Sequence, residues 1–262
     1  MSAVVEMISR DVRDPELAAT DLAALVEREG VVELAGVVSP AWLESARSDV
    51  GHAMSSGSGN AFLIFDPSAE ESPAAEAITT DRRLIELFEG LTRQSWPRAV
   101  EPATVRLRSF LRIVVGADDN PPTLLHYDAY VVTMVIPIVL PAPESAPCGR
   151  RGELLALGNH RRFRRTVAAH VVDKLRTHNG RYRAQALASG VHDALVPMEL
   201  GKAYLFWGYR TFHGNLPLQP GLERATLIVH YGLPHRDSRF FDLAKTLSPA
   251  RRGVRRYSKV SN

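Results

Sequence analysis

Apolar residues recur at helical spacing through the first hundred positions and change to strand-like alternation after residue 103. Asp21 to Glu29 sets Leu22, Leu25 and Val26 on one face of a helix that Gly30 stops. Ser39-Pro40 reads as an N-cap with a first-turn proline, and Leu43, Ala46, Val50 and Met54 form the stripe behind it. A third helix follows Thr80, with Leu84, Leu87, Phe88 and Leu91 as its apolar face. The loop from Ser55 to Asn60 holds Gly57-Ser58-Gly59, which is no dinucleotide fingerprint: no strand precedes it and the third glycine is missing.

From Thr104 to Val115 the chain alternates. Val105, Leu107, Leu111 and Ile113 fall on one side; Arg106, Arg108, Phe110 and Arg112 fall on the other. A β-branched run covers Val131 to Leu140, and a Pro/Gly-rich loop follows to Gly152. Further strands are predicted at Glu153–Leu157, Ala203–Trp207 and Glu223–Leu233, with a helix at Thr166–Arg176. Helices followed by many short strands predict an α+β chain built on a sandwich or barrel. With no repeat and no long linker, residues 1–262 read as one domain: a mainly helical part over 1–102, a β core over 103–235 and a basic tail over 236–262.

Composition narrows the classes. At 45% hydrophobic and 23% charged residues the chain is neither disordered nor a disulfide scaffold, and its one cysteine, Cys148, excludes an internal disulfide or a Cys-based zinc site. The longest apolar run, Tyr130 to Ala142, is too short to span a bilayer and is broken by proline. Glu6, Arg10 and Asp11 interrupt any secretory segment, so a cytoplasmic protein without a membrane partner is expected. Arginines cluster at Arg150 to Arg165 and Arg251 to Arg256, but 32 basic against 29 acidic residues leave only +3, which argues against a nucleic-acid partner.

The chemistry concentrates at Leu125-His126-Tyr127-Asp128. On extended chain, residues two apart face the same side, so His126 and Asp128 converge; they supply two of the three ligands of the facial triad that holds non-haem Fe(II). A second His-x-Asp, at His235 and Asp237, has no later histidine to complete it and follows Pro234, so it reads as surface. The first is followed by Phe212-His213-Gly214, which makes His126, Asp128 and His213 the candidate ligands. Further on, Arg224, Thr226, Ile228 and His230 share a strand face, where an arginine fork and a hydroxyl can grip a buried carboxylate.

These segments resemble the Fe(II)/2-oxoglutarate-dependent oxygenases, most closely the phytanoyl-CoA dioxygenase-like branch. Glu29 to Pro40 is similar to the family's opening turn, His126-Tyr127-Asp128 to its metal motif, and Gly152 to His160 to its "GxLxxxPGSH" segment. Gly201 to Phe206 leading to His213-Gly214 resembles its distal histidine pair of strands, and Arg224 to Tyr231 its co-substrate strand. Leu157, Asn159 and Lys202 depart from the family's proline, serine and aspartate. The resemblance implies a double-stranded β-helix (jelly-roll) barrel with an N-terminal helical layer outside it. It also implies Fe(II) on His126, Asp128 and His213, 2-oxoglutarate anchored by Arg224 with Thr226, and O₂ as co-substrate. The implied reaction oxidises an unactivated C–H bond while 2-oxoglutarate is decarboxylated to succinate. Hydroxylation, desaturation and ring closure all remain open, whereas Asp128 argues against halogenation, whose enzymes lack this carboxylate.

Arg106, Arg108 and Arg112 precede the metal motif on one strand face. If that face looks inward, the substrate is a small molecule carrying a carboxylate or phosphate; if outward, they are ordinary surface arginines. Tyr127, Tyr130 and His230 are further candidates for substrate contact. Two other readings stay open: a non-catalytic ligand-binding barrel, and an oxygenase acting on nucleic acid.

Overall fold

The computed structural model describes residues 7–14, 17–56, 61–101, 103–116, 125–163 and 194–234. The expected helix at Thr166–Arg176, the second arginine cluster, and His235 with Asp237 lie outside these residues.

Four helices form early: α1 (Ala19–Glu29), α2 (Pro40–Ser56), α3 (Pro73–Thr79) and α4 (Arg82–Ser95). In α1 the expected Leu22, Leu25 and Val26 are buried, and the Gly30 N–H closes the helix on the Val26 carbonyl. Gly30 has φ +80, and a Cβ there would lie 2.7 Å from the Gly158 backbone, so this approach admits only glycine. Ser39 accepts from the Trp42 N–H at the start of α2, and Asp81 accepts from Arg83 and Leu84 at the start of α4. Such caps contribute about 1 kcal/mol each. At seven residues, α3 is too short to show a hydrophobic period; its signal is Ser72 as cap and Pro73 behind it.

Among the described residues, ten strands make two sheets. They are β1 (Ser9–Asp11), β2 (Val31–Ala35), β3 (Ala61–Phe65), β4 (Arg108–Val115), β5 (Val132–Val139), β6 (Leu154–Leu157), β7 (Leu195–Val196), β8 (Ala203–Phe206), β9 (Phe212–Asn215) and β10 (Glu223–Tyr231). Seven pair in the order β1-β2-β8-β5-β10-β4-β3, and three in the order β7-β6-β9. The part expected to be mainly helical thus also supplies three strands of the larger sheet.

Alternation along the strands assigns the two faces of the larger sheet. Ala225, Leu227 and Val229 of β10, with Leu111, Ile113, Met134 and Ile136, join Leu22, Val26, Phe88 and Leu91 in one core between sheet and helices. The opposite face, with Val135, Tyr204 and Phe206, packs against Leu154, Ala156 and Val196 of the smaller sheet. What β10 places on that second face is therefore largely enclosed between two sheets, while β4 carries its own residues on that face toward the rim. β4 begins at Arg108, later than the alternation predicted, so Val105 stands 81% exposed instead of joining the core. Pro137, which cannot donate to a ladder, sits mid-strand in β5 opposite Thr226, where the register with β10 shifts.

Candidate metal centre and anion pocket

His126 and His213 meet through an isolated antiparallel bridge: each backbone N–H donates to the other's carbonyl, at 2.8 and 3.0 Å. Their rings come within 4.6 Å, centroid to centroid. The Asp128 N–H donates to the Gly208 carbonyl at 2.9 Å, which turns that carboxylate toward the same point. His126 Nε2 lies 3.5 Å from Asp128 Oδ1, and His213 Nε2 lies 3.4 Å from Asp128 Oδ2. One ligand atom from each of the three fits within 4.8 Å of the others, as a shared cation requires.

The surroundings fix the donors. His213 Nδ1–H donates to the Thr211 carbonyl at 3.0 Å, so Nε2 keeps its lone pair for a metal. Burial holds the His213 pKa down at about 4 despite the opposing pull of Asp128. Burial alone would raise the Asp128 pKa, but His213, His230 and His126 outweigh it and keep the carboxyl well below the usual range. A neutral imidazole beside an ionised carboxylate is the state that binds a divalent ion. The same burial sets a pH dependence for the metal-free protein. Between its ordinary value of 6.5 and about 4, His213 takes up a proton in the unfolded chain but not in the folded one. Stability is then complete above pH 6.5 and falls as the pH drops toward 4. Thermal melts of EDTA-treated protein at pH 7 and pH 5 should differ by roughly 5 °C or more; equal melts would contradict the burial of a neutral His213.

Thr133, which nothing in the sequence marks out, is the second support. Its hydroxyl donates to Asp128 Oδ2 at 2.6 Å and, having one proton, accepts from His230 Nδ1–H at 2.9 Å. Gly208 packs directly on this pair: a Cβ there would lie 2.7 Å from Asp128 Oδ2 and closer still to the Thr133 hydroxyl. Gly208→Ala should displace the carboxylate and weaken metal binding roughly ten- to hundredfold while the fold persists. Titration of the variant with Fe(II) or Co(II) checks this, and wild-type affinity would contradict it.

The face of β10 turned to the smaller sheet carries Arg224, Thr226, Ile228 and His230, as the alternation predicted. Arg224 is 3% exposed, its stem runs against Gly152, and its Nε has no hydrogen-bond partner. Burial, then the neighbouring Arg112, lowers its pKa to about 9, with Glu153 opposing. Thr226 is fully buried and its hydroxyl also lacks a partner. A buried cation and a buried hydroxyl left unbonded form a site shaped for a carboxylate.

The other candidates separate. Arg108, Phe110 and Arg112 lie opposite His230, Ile228 and Thr226, so this face of β4 does look inward. Arg112 donates to Asn215 Oδ1 at 2.9 Å, and burial lowers its pKa. Arg108 sits at the exposed rim, 2.9 Å from Asp66. Arg106 precedes the strand and turns to the helices, where it pairs with Glu76 at 2.7 Å and bonds the Pro67 carbonyl. Both of those charges are answered within the chain, so they do not make the pocket cationic. Tyr130 stacks on His230 at 4.8 Å, His230 meets Phe110 at 5.0 Å, and Phe110 meets the exposed Phe65 at 4.8 Å. Tyr127 points elsewhere. Lying between His126 and Asp128, it projects to the opposite side, where its hydroxyl bonds His160 Nδ1 at 2.7 Å and its ring lies beside Phe212. That placement turns Tyr127 away from the triad.

No protein-family model matches the chain, and no curated protein does. Solved structures match by fold. The non-heme alpha ketoglutarate dependent carbocyclase SnoK from nogalamycin biosynthesis superposes with a TM-score of 0.54 at 16% identity, covering 82% of this chain and 86% of that one. The epimerase SnoN, in complex with Fe3+, alpha ketoglutarate and nogalamycin RO, gives 0.53 at 15% identity over 82% and 83%. HygX from Streptomyces hygroscopicus, with nickel and 2-oxoglutarate bound, gives 0.53 at 15% identity over 83% and 88%. At these identities the likeness establishes a shared fold.

Proposed function

We propose that the chain is a non-haem Fe(II)/2-oxoglutarate-dependent oxygenase of the phytanoyl-CoA dioxygenase-like branch, its two sheets forming a double-stranded β-helix. The observation that carries this reading is the pairing of two unfilled donor sets between the sheets. One is the His126, Asp128 and His213 cluster; the other is the buried Arg224, whose Nε has no partner, with the unpartnered Thr226 hydroxyl. Two imidazoles and one carboxylate suit Fe(II) and leave coordination positions open. A buried arginine fork with a hydroxyl suits the distal carboxylate of 2-oxoglutarate. Iron and 2-oxoglutarate bound there would activate O₂ and oxidise a C–H bond, with 2-oxoglutarate converted to succinate and CO₂.

The chain's own residues orient and enclose. Thr133 holds Asp128 so that the carboxylate cannot swing away from the histidines. Thr211 fixes the His213 tautomer. The His126 side chain is 48% exposed while that of His213 is 9%, so the triad opens on the His126 side and a small-molecule substrate reaches it there. Tyr130, His230 and Phe110 form an aromatic wall beside that opening. Hydroxylation is the simplest outcome. The solved structures that share the fold include an epimerase and a carbocyclase, so the wall and the substrate's pose decide which bond reacts.

The test is formation of succinate from 2-oxoglutarate by protein reconstituted with Fe(II). Production that requires both iron and O₂ supports the reading. Iron bound in the triad with no 2-oxoglutarate consumed, even at millimolar concentration, overturns it in favour of a ligand-binding protein.

A further inference from the structure

We infer that Arg112 is a second cation of the co-substrate pocket, gripping the distal carboxylate together with Arg224 and making the site selective for a dicarboxylate. The inference rests on the reading of Arg224 as the co-substrate anchor, and the sequence alone left Arg112 among the candidates for substrate contact.

Three observations support it. Arg112 lies directly opposite Thr226 in the β4–β10 register, so its side chain leaves the sheet on the same side as Arg224 and Thr226. It is held there by Asn215, whose Oδ1 accepts from Arg112 at 2.9 Å while its Nδ2 donates to the Gly152 carbonyl at 3.4 Å. Asn215 is two residues past His213 on the same face of β9, so the link ties Arg112 to the smaller sheet beside a metal ligand. Finally, Arg112 is near enough to disfavour the charge on Arg224, and neither has a carboxylate partner among the described residues. Glu153, the carboxylate that acts on Arg224, is already engaged by Arg151 and by the backbone N–H groups of Gly149 and Arg151.

A buried cation beside a half-buried one, with no counter-ion for either, costs stability unless an anion joins them. Arg108 and Arg106, with Asp66 and Glu76 beside them, have no such need. The pair therefore marks where a negative charge of the ligand sits, and two forks recognise a carboxylate more selectively than one.

The experiment compares 2-oxoglutarate with 2-oxopentanoate, the same chain lacking the distal carboxylate, by calorimetric titration of Ni(II)-loaded protein. Wild type should bind 2-oxoglutarate far more tightly. In Arg112→Gln that preference should shrink roughly ten- to hundredfold, with Arg112→Lys between the two and nickel affinity unchanged. The same preference in Arg112→Gln as in wild type would overturn the inference and leave the oxygenase reading standing. No preference in wild type would instead overturn the co-substrate reading itself. A melting scan without ligand separates binding from structural support. Removing an unanswered, half-buried cation should leave Arg112→Gln melting no lower than wild type, whereas a clearly lower melt would assign Arg112 a structural role and overturn the inference.

Discussion

Asp128→Ala abolishes turnover and lowers Fe(II) affinity by more than about a hundredfold. Losing even an outer partner of a metal ligand costs ten- to hundredfold, and here a ligand itself is lost. Asp128 is also the only carboxylate of the cluster, so its removal leaves a divalent ion facing two neutral imidazoles. The Thr133 hydroxyl loses its acceptor at the same time, and His230 loses the anion 3.8 Å from its Nδ1. Asp128→Asn separates charge from shape: it keeps an oxygen for Thr133 but not the negative charge, and should bind iron almost as poorly as the alanine variant. Metal content after dialysis against a fixed Fe(II) concentration under nitrogen reads both. Near-stoichiometric iron in Asp128→Ala would remove the residue from the ligand set.

Arg224→Ala raises the 2-oxoglutarate concentration needed for half-maximal turnover by roughly a hundredfold or more and leaves Fe(II) binding unchanged. A charge-assisted hydrogen bond contributes about 1.5–3 kcal/mol, and a fork can make two to one carboxylate. Enclosure strengthens each, because Arg224 is almost fully shielded from water between the sheets. Arg224→Lys keeps the charge without the fork and should recover only part of the loss. The alanine variant should not melt lower than wild type in the absence of ligand, since the guanidinium it removes has no anionic partner among the described residues. Steady-state kinetics at varied 2-oxoglutarate check the first expectation, and unchanged dependence would mean that Arg224 is not the anchor.

What the sequence made legible was what has a period. Leu22, Leu25 and Val26 announced α1, and the alternation of Ala225, Leu227 and Val229 with Arg224, Thr226 and Ile228 set the faces of β10. Short elements carry no period: β1 has three residues, and Val31–Ala35 sits between two glycines and reads as a turn until β8 pairs with it. The alternation from Thr104 likewise begins before the strand does: β4 starts at Arg108, so Val105 is exposed and Arg106 does not share the strand face of Arg108 and Arg112. The site divides along the same line. His126, Asp128 and His213 are rare residue types in a recognisable order, and the bridge between His126 and His213 brings them together. Tyr127 faces away from the triad because neighbouring residues on extended chain diverge. Thr133 and Asn215 were invisible because a threonine in a β-branched run and an asparagine after a strand have many ordinary uses. Only the paired distances of 2.6 and 2.9 Å show theirs.

His126, Asp128 and His213 should form one metal centre next to the Arg224 pocket. The most direct measurement is an anaerobic titration of Fe(II)-loaded protein with 2-oxoglutarate, following the weak visible charge-transfer absorption that appears when the keto acid chelates iron. Wild type should develop the band and saturate. His213→Ala should show none at any concentration, and Arg224→Ala should reach the same amplitude only at much higher 2-oxoglutarate. A band of wild-type amplitude in His213→Ala, or none in wild type with iron bound, would contradict the account.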